Sequence, residues 1–300
     1  MKRYITNILI FFFIIIALDL AYGYICDIMV EKSPSSPKER LSTILMQKHY
    51  DVMIMGSSRC VCHYDDNLMS DSLGLRTINV GEKGNGILLM YGLYHIIPIN
   101  NKPQVLIYDI EPNFDYFFYE QDDHDKRYLS GLRPFFNEDG IEDIFFSVEK
   151  TEPLKMNSSF YRYNSNLFGV IRDYFSTDVM KYSSYKPTNT HYVNNEGTSK
   201  ERDVDPIKLH YFEQLINDTK KDNVKLIVVA SPKYGVSDKK GIQPLKELCE
   251  RNDVPFWDYY LDMHDTRWFC DNNHLNLQGS KVFTNTIVNR IRKEINLNIQ

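Results

Sequence analysis

Five short, nearly unbroken apolar runs, separated by helical stretches, limit this chain to a small set of architectures. They are "DVMIM" (51–55), "RTINV" (76–80), "QVLIYDI" (104–110), "VKLIVVA" (224–230) and "VPFWDYY" (254–260). Each is rich in β-branched or aromatic residues, and most lack the polar alternation of a strand with one wet face. Parallel strands covered on both faces read this way. Between them lie "GILLMYGLYHII", "PIKLHYFEQLINDTKK" and "IQPLKELCERN", and the chain closes on "NLQGSKVFTNTIVNRIRKEI". The second of these puts Leu209, Phe212, Leu215 or Ile216, and Thr219 on one face; the last does so with Phe283, Ile287, Ile291 and Ile295. Strand and helix in alternation predict a doubly wound α/β domain over residues 49–300, with a mostly parallel five-stranded sheet.

The rhythm fails at two places. Lys2 and Arg3 precede "YITNILIFFFIIIALDLAYGYI", about the ~20 apolar residues that cross a bilayer. Basic residues ahead of the run predict a single-pass anchor over 1–25 in the cell membrane, with a cytoplasmic N-terminus and an extracytoplasmic domain. A cleaved signal peptide is the rival, but the run is long for one and no small-x-small site follows. Asp19 reads as lying near the outer interface, where a carboxylate stays hydrated. Residues 26–48, with the charged, Pro/Ser-rich "EKSPSSPKER", read as a stalk. The second break, about 114–205, is rich in Tyr, Phe, Asn and Asp and reads as an insertion partly covering the sheet's carboxyl edge.

Composition removes several functions. A net charge of −5 without a basic stripe argues against nucleic-acid binding. Of the five cysteines, Cys60 and Cys62 are too close and too few for a zinc site, and most read as small buried side chains. The cluster "EQDDHDKR" (120–127) lacks calcium-loop spacing and reads as solvated. Neither a metal nor another cofactor is called for.

What remains is chemistry at the sheet's edge. The first strand runs into Gly56-Ser57-Ser58-Arg59, where ligands bind in this architecture. A serine hydroxyl there is a weak nucleophile unless a histidine, itself held by a carboxylate, takes its proton. "CDNNHLNLQGS" supplies Asp271 three residues before His274, ahead of the last helix. On a tight loop the carboxylate would take the Nδ1–H and leave Nε2 facing out. An oxyanion hole needs converging donors: the Ser58 N–H, the N–H of Gly81 in "NVGEKGNG", and the amide of Asn113 in "YDIEPNFD" are candidates. Gly81 is equally a turn glycine, Asn113 equally a turn cap, and Arg59 either an anion binder or a solvent-exposed or helix-packed side chain. The remaining histidines, His63 among them, have no neighbouring carboxylate–serine arrangement in the sequence.

Taken in order, "GSSR", "NVGEKG", the strand leading to Asn113 and "DNNHLNLQG" resemble the sequence blocks of the SGNH (GDSL-like) hydrolase superfamily, over roughly 50–112 and 205–295. The resemblance implies a flavodoxin-like three-layer fold, with Ser58, Asp271 and His274 as triad and Ser58, Gly81 and Asn113 as oxyanion donors. Two blocks depart from the usual pattern. Ser57 stands where Gly-Asp-Ser-Leu has its aspartate, and Glu111-Pro112-Asn113-Phe114 replaces Gly-x-Asn-Asp. A Gly-Ser-Ser start is similar to membrane-anchored relatives in D-alanyl-lipoteichoic-acid transfer and polysaccharide O-acetylation. It implies an esterase or O-acyl transferase acting on an acylated carbohydrate or other ester at the cell envelope, with a membrane acyltransferase as a possible partner. Other classes stay open: a non-catalytic component of a surface-polysaccharide modification or export complex, and an α/β domain holding a phosphate at a helix N-terminus.

Overall fold

The computed structural model describes residues 2–33, 37–118, 126–164, 166–176, 181–188, 190, 192–194 and 203–295. The chain starts with a long helix, α1 (Lys2–Lys32), followed by a short helical turn at Pro37–Ser42, so much of the stretch read as a stalk is helical. Then come β1 (Val52–Gly56), α2 (Ser58–His63), α3 (Asp66–Leu73), β2 (Thr77–Asn79), α4 (Ile87–His95) and β3 (Val105–Asp109). Four short helices follow: α5 (Ile141–Val148), α6 (Glu152–Met156), α7 (Ser159–Asn164) and α8 (Leu167–Tyr174). The alternation then resumes with α9 (Pro206–Lys221), β4 (Lys225–Ala230), α10 (Gln243–Arg251), β5 (Phe256–Asp258) and α11 (Leu277–Glu294).

These elements form two compact units. One holds residues 44–131 and 182–300; the other joins 1–43 to 132–181. The break at 114–205 is therefore divided, its central part belonging with the N-terminal helix. Most of "EQDDHDKR" lies outside the described residues.

In the larger unit all four strand pairings are parallel, in the order β2-β1-β3-β4-β5. The fold class expected from the apolar runs is the one observed. Every residue of β1 and β3 is buried, as strands covered on both faces require. On α11, Phe283, Ile287, Val288 and Ile291 turn inward against a core that includes Val52, Ile54, Tyr64 and Trp257. Helix α4 is buried almost all round and packs on α9, with the Tyr91 and Tyr211 rings 5.1 Å apart.

One helical face differs from expectation. On α9, Lys208 is fully buried while Leu209 is only half-buried. The ammonium donates to the carbonyls of Asn113 (3.1 Å) and Phe117 (2.7 Å). A buried charge so bonded is tolerated, and hydropathy does not forecast it.

The chain leaves β1 for β2 on one side and reaches β3 on the other. The sheet's switch point thus lies at the carboxyl ends of β1 and β3, where doubly wound folds open a crevice.

Candidate active site

Gly56 ends β1 with φ +148°, and a Cβ there would strike the Asp109 carbonyl and approach the Cys60 side chain. Only glycine lets β1 turn this close to β3. Ser57, fully buried, caps α2 by accepting from the Arg59 N–H at 3.4 Å. Ser58 is thereby the first residue of α2, at the mouth of the crevice.

The partner loop is built around one carboxylate. Asp271 Oδ1 accepts the N–H groups of Asn273 and His274, both at 2.8 Å. His274 Nδ1 lies 3.0 Å from Oδ1 and 2.9 Å from Oδ2, and its Nε2 lies 2.7 Å from Ser58 Oγ. With Nδ1–H donating to Asp271, Nε2 is the acceptor for the serine O–H. Burial alone would raise the Asp271 carboxyl, but the neighbouring His274, which donates a hydrogen bond, and the two backbone N–H donors outweigh it and hold it below the usual range. Asn276 then caps α11, accepting from the N–H groups of Gln278 and Gly279 at 3.0 Å each, while its amide donates to the Arg267 carbonyl at 2.7 Å. Gly279 passes directly beneath the Trp268 carbonyl, where a Cβ would overlap the oxygen.

The three residues open on a cavity of about 320 Å³, whose walls include Lys83, Thr188, Val193 and Cys270. Two described residues near it bond to the Asp271 loop: Thr188 pairs with Asn276, and the Val193 N–H donates to the Cys270 carbonyl at 2.9 Å.

The other sequence candidates sit differently. The Gly81 N–H donates to Asn79 Oδ1 at 3.0 Å. Asn79 is itself buried, donating to the carbonyls of Cys60 (2.8 Å) and Tyr64 (3.0 Å). Asn113 stands in the short turn Pro112–Asp115 after β3 and donates its amide to Glu111 Oε1 at 3.2 Å. Arg59 is not exposed but 1% accessible. It pairs with Glu111 Oε2 at 3.2 Å and donates to the Ser231 carbonyl and hydroxyl. Burial would raise Glu111, yet Lys233 and Arg59 keep it ionised below the usual range.

Beneath the cavity floor lies an arrangement the sequence reading missed. His63 does have a serine and a carboxylate: its Nδ1 is 2.8 Å from Ser231 Oγ, which donates to Asp109 Oδ2 at 3.0 Å. His63 Nε2 accepts the N–H of Leu275, the residue after His274, at 3.0 Å. All three side chains are fully buried, so this second His–Ser–Asp series has no route to a substrate. It couples the end of α2 to the His274 loop. Burial, then the Arg59 charge and the proximity of a second imidazole, His274, push His63 well below its ordinary value and keep it neutral. Burial lifts Asp109 to about 6, against the pull of Arg59 and its hydrogen bonds. With His63 and Ser231 168 positions apart in the sequence, no local pattern announces the pair. The five cysteines are buried and free. No group of three or more His, Cys, Asp or Glu able to hold a metal occurs among the described residues.

No protein-family model matches the chain, and no curated protein matches it. Solved structures similar to it include a family two carbohydrate esterase from Clostridium thermocellum (9% identity, TM-score 0.39, 84% of this chain and 66% of that one). Another is a GDSL-like lipase from Bacteroides thetaiotaomicron (11% identity, TM-score 0.41, 85% of this chain and 91% of that one).

Proposed function

We propose that this chain is an SGNH-type serine esterase or O-acyl transferase, tethered to the cell membrane by α1 and acting on acylated carbohydrate of the cell envelope. The observation that carries the reading is the Ser58 Oγ to His274 Nε2 approach of 2.7 Å, with Asp271 2.9 Å behind the ring. A hydroxyl, an imidazole and a carboxylate in series, opening on a cavity, constitute the machinery of acyl transfer.

The three groups act in sequence. Ser58 Oγ attacks the ester carbonyl carbon as His274 Nε2 takes its proton, and Asp271 holds the imidazole in the tautomer that allows this. The tetrahedral oxyanion collapses, the proton passes from His274 to the leaving alcohol, and Ser58 carries the acyl group. Water or a sugar hydroxyl, deprotonated in turn by His274, removes it. One oxyanion donor is the Ser58 N–H, in the first turn of α2, where N–H groups lack intrahelical acceptors. Because the Gly81 N–H is engaged by Asn79, it joins the hole only by releasing that amide oxygen; Lys83, on the same loop, lines the cavity. Asn113 joins the hole only by releasing Glu111. The nearby cationic Lys83 suits an acyl or sugar unit with negative charge close to the ester.

Hydrolysis of an aryl acetate tests the reading, using the full chain in detergent or vesicles. Turnover by the parent and its loss in Ser58→Ala and His274→Ala support it; equal turnover in parent and variants contradicts it. Adding an oligosaccharide acceptor then divides hydrolysis from transfer. A second reading, a non-catalytic glycan-binding component, is favoured by the internal engagement of Gly81 and Asn113. It requires Ser58→Ala to retain full biological effect.

A further inference from the structure

The N-terminal unit contains a surface that acyl chemistry does not use. Along α1 every described side chain from Lys2 to Leu18 is exposed, and the run is apolar enough to cross a membrane. From Asp19 onward a single stripe turns inward: Asp19 and Tyr22 are half-buried, and Gly23, Cys26 and Val30 are buried. Helices α7 and α8 both pack against α1. Asp19 accepts from Ser158 Oγ (2.9 Å) and from the N–H groups of Ser159 (2.9 Å) and Phe160 (2.8 Å), so it caps α7 instead of standing hydrated in water. Tyr22 stacks on Phe160 at 4.5 Å, Gly23 admits the Ser159 side chain, and Asp27 bonds the Tyr163 hydroxyl.

Depth follows from helix geometry. With Arg3 at one boundary of a ~30 Å hydrocarbon layer, Asp19 lies about 24 Å along the axis, roughly 6 Å short of the far boundary. A carboxylate at that level is costly without donors, and α7 supplies three. Asp27, bonded to Tyr163 near the end of α7, lies about 36 Å along, roughly 6 Å beyond that boundary, so α7 crosses the level where acyl chains meet headgroups and α8 follows it there. On α8, Val170 and Asp173 turn inward, while Phe168 (88% exposed), Ile171 and Phe175 (74%) project outward, three and seven residues apart along one face. Arg172 stands beside them, its guanidinium highly exposed and paired on one edge with Asp173 Oδ1 at 2.7 Å.

We propose that α7 and α8 form an interfacial membrane element, with Phe168, Ile171 and Phe175 seated among the acyl chains of the leaflet nearest the C-terminal end of α1. Arg172 would then reach the phosphates. The occupant of this apolar face is phospholipid, because α8 packs on the apolar helix α1 and follows α7, whose bonds to α1 run from Asp19 to Asp27. An eight-residue helix is marginal alone; held by α1, it adds a second attachment to the spanning one. The inference rests on α1 being retained as a spanning helix, and the engagement of Asp19, Gly23 and Asp27 supports retention.

Tryptophan quenching in vesicles separates the two ideas. Phe168→Trp and, separately, Ile10→Trp chains are reconstituted in phosphatidylcholine carrying brominated acyl chains, and each is compared with the unsubstituted chain. The expected result is that the added emission of both falls to about half or less, with Phe168→Trp quenched best by bromines near the headgroup end, as for a side chain ~5–10 Å deep. Quenching of Ile10→Trp without quenching of Phe168→Trp overturns the interfacial element and leaves the anchor intact. That outcome includes an indole at position 168 buried against protein or sugar. Absence of quenching at both positions overturns the spanning helix as well.

Discussion

Asp271 bears more than one duty, and its substitution should show both. One carboxylate fixes the loop through two backbone N–H groups and orients the ring of His274. Asp271→Asn keeps the size but favours the wrong imidazole tautomer, so kcat/KM for an aryl ester should fall roughly 10³–10⁴-fold with KM little changed. An unchanged kcat/KM would remove Asp271 from the triad. His63 offers a test of a different kind, through stability. A histidine kept neutral when folded takes up a proton only on unfolding below about 6.5, so stability falls as pH drops through that value, by up to about 1.4 kcal/mol per pH unit. Asp109, lifted to about 6, works in the opposite sense: it gains its proton first in the folded state, which stabilises the fold between about 6 and its unfolded value near 3.8. Arg59, His274 and, through Ser231, Asp109 are the charged or titratable groups bearing on His63. The His63 slope should therefore be clearest between about pH 7 and 6. Urea midpoints of His63→Gln should lose that slope; a slope identical to the parent's would contradict a neutral buried His63. Ser58, Asp271 and His274 were legible because two short blocks place them at the ends of recognisable elements. Ser231 and Asp109 carried no such mark, since only the folded sheet brings them to His63.

At the scale of elements, His-Leu-Asn-x-x-Gly has a mechanical explanation. Asn276 caps α11 and ties it to the 267–269 segment, and Gly279 lets the first turn slide under the Trp268 carbonyl. Gly279→Ala should cost about 1–3 kcal/mol, because backbone rather than a side chain must move. A chemical-denaturation midpoint reads this directly, and a neutral result would show that the turn can relax. The five strands were legible because burial on both faces leaves an unbroken apolar signature. On α9, Phe212, Leu215, Ile216 and Thr219 are buried as expected, and only Leu209 yields its place to Lys208, whose desolvation is offset by two carbonyls far along the chain. Residues 132–175 were illegible for a related reason. Helices of five to eight residues show little periodicity, and two of them find their partner in α1.

For the whole molecule, the same packing bears on processing. Cleavage of a signal sequence near residue 25 would strip α7 of its Asp19 cap and the N-terminal unit of most of its longest helix. The mature chain should therefore keep residues 1–30 and stay with membranes through an alkaline wash. Intact mass and fractionation check this, and a soluble product starting after Cys26 would contradict it. The central claim is that Ser58 is a nucleophile made reactive by His274. Mass spectrometry of the full chain after treatment with a fluorophosphonate tests it most directly. The account predicts one adduct, on the peptide containing Ser58, absent from Ser58→Ala and strongly reduced in His274→Ala. An unlabelled folded parent, or an adduct that persists in Ser58→Ala, would contradict it.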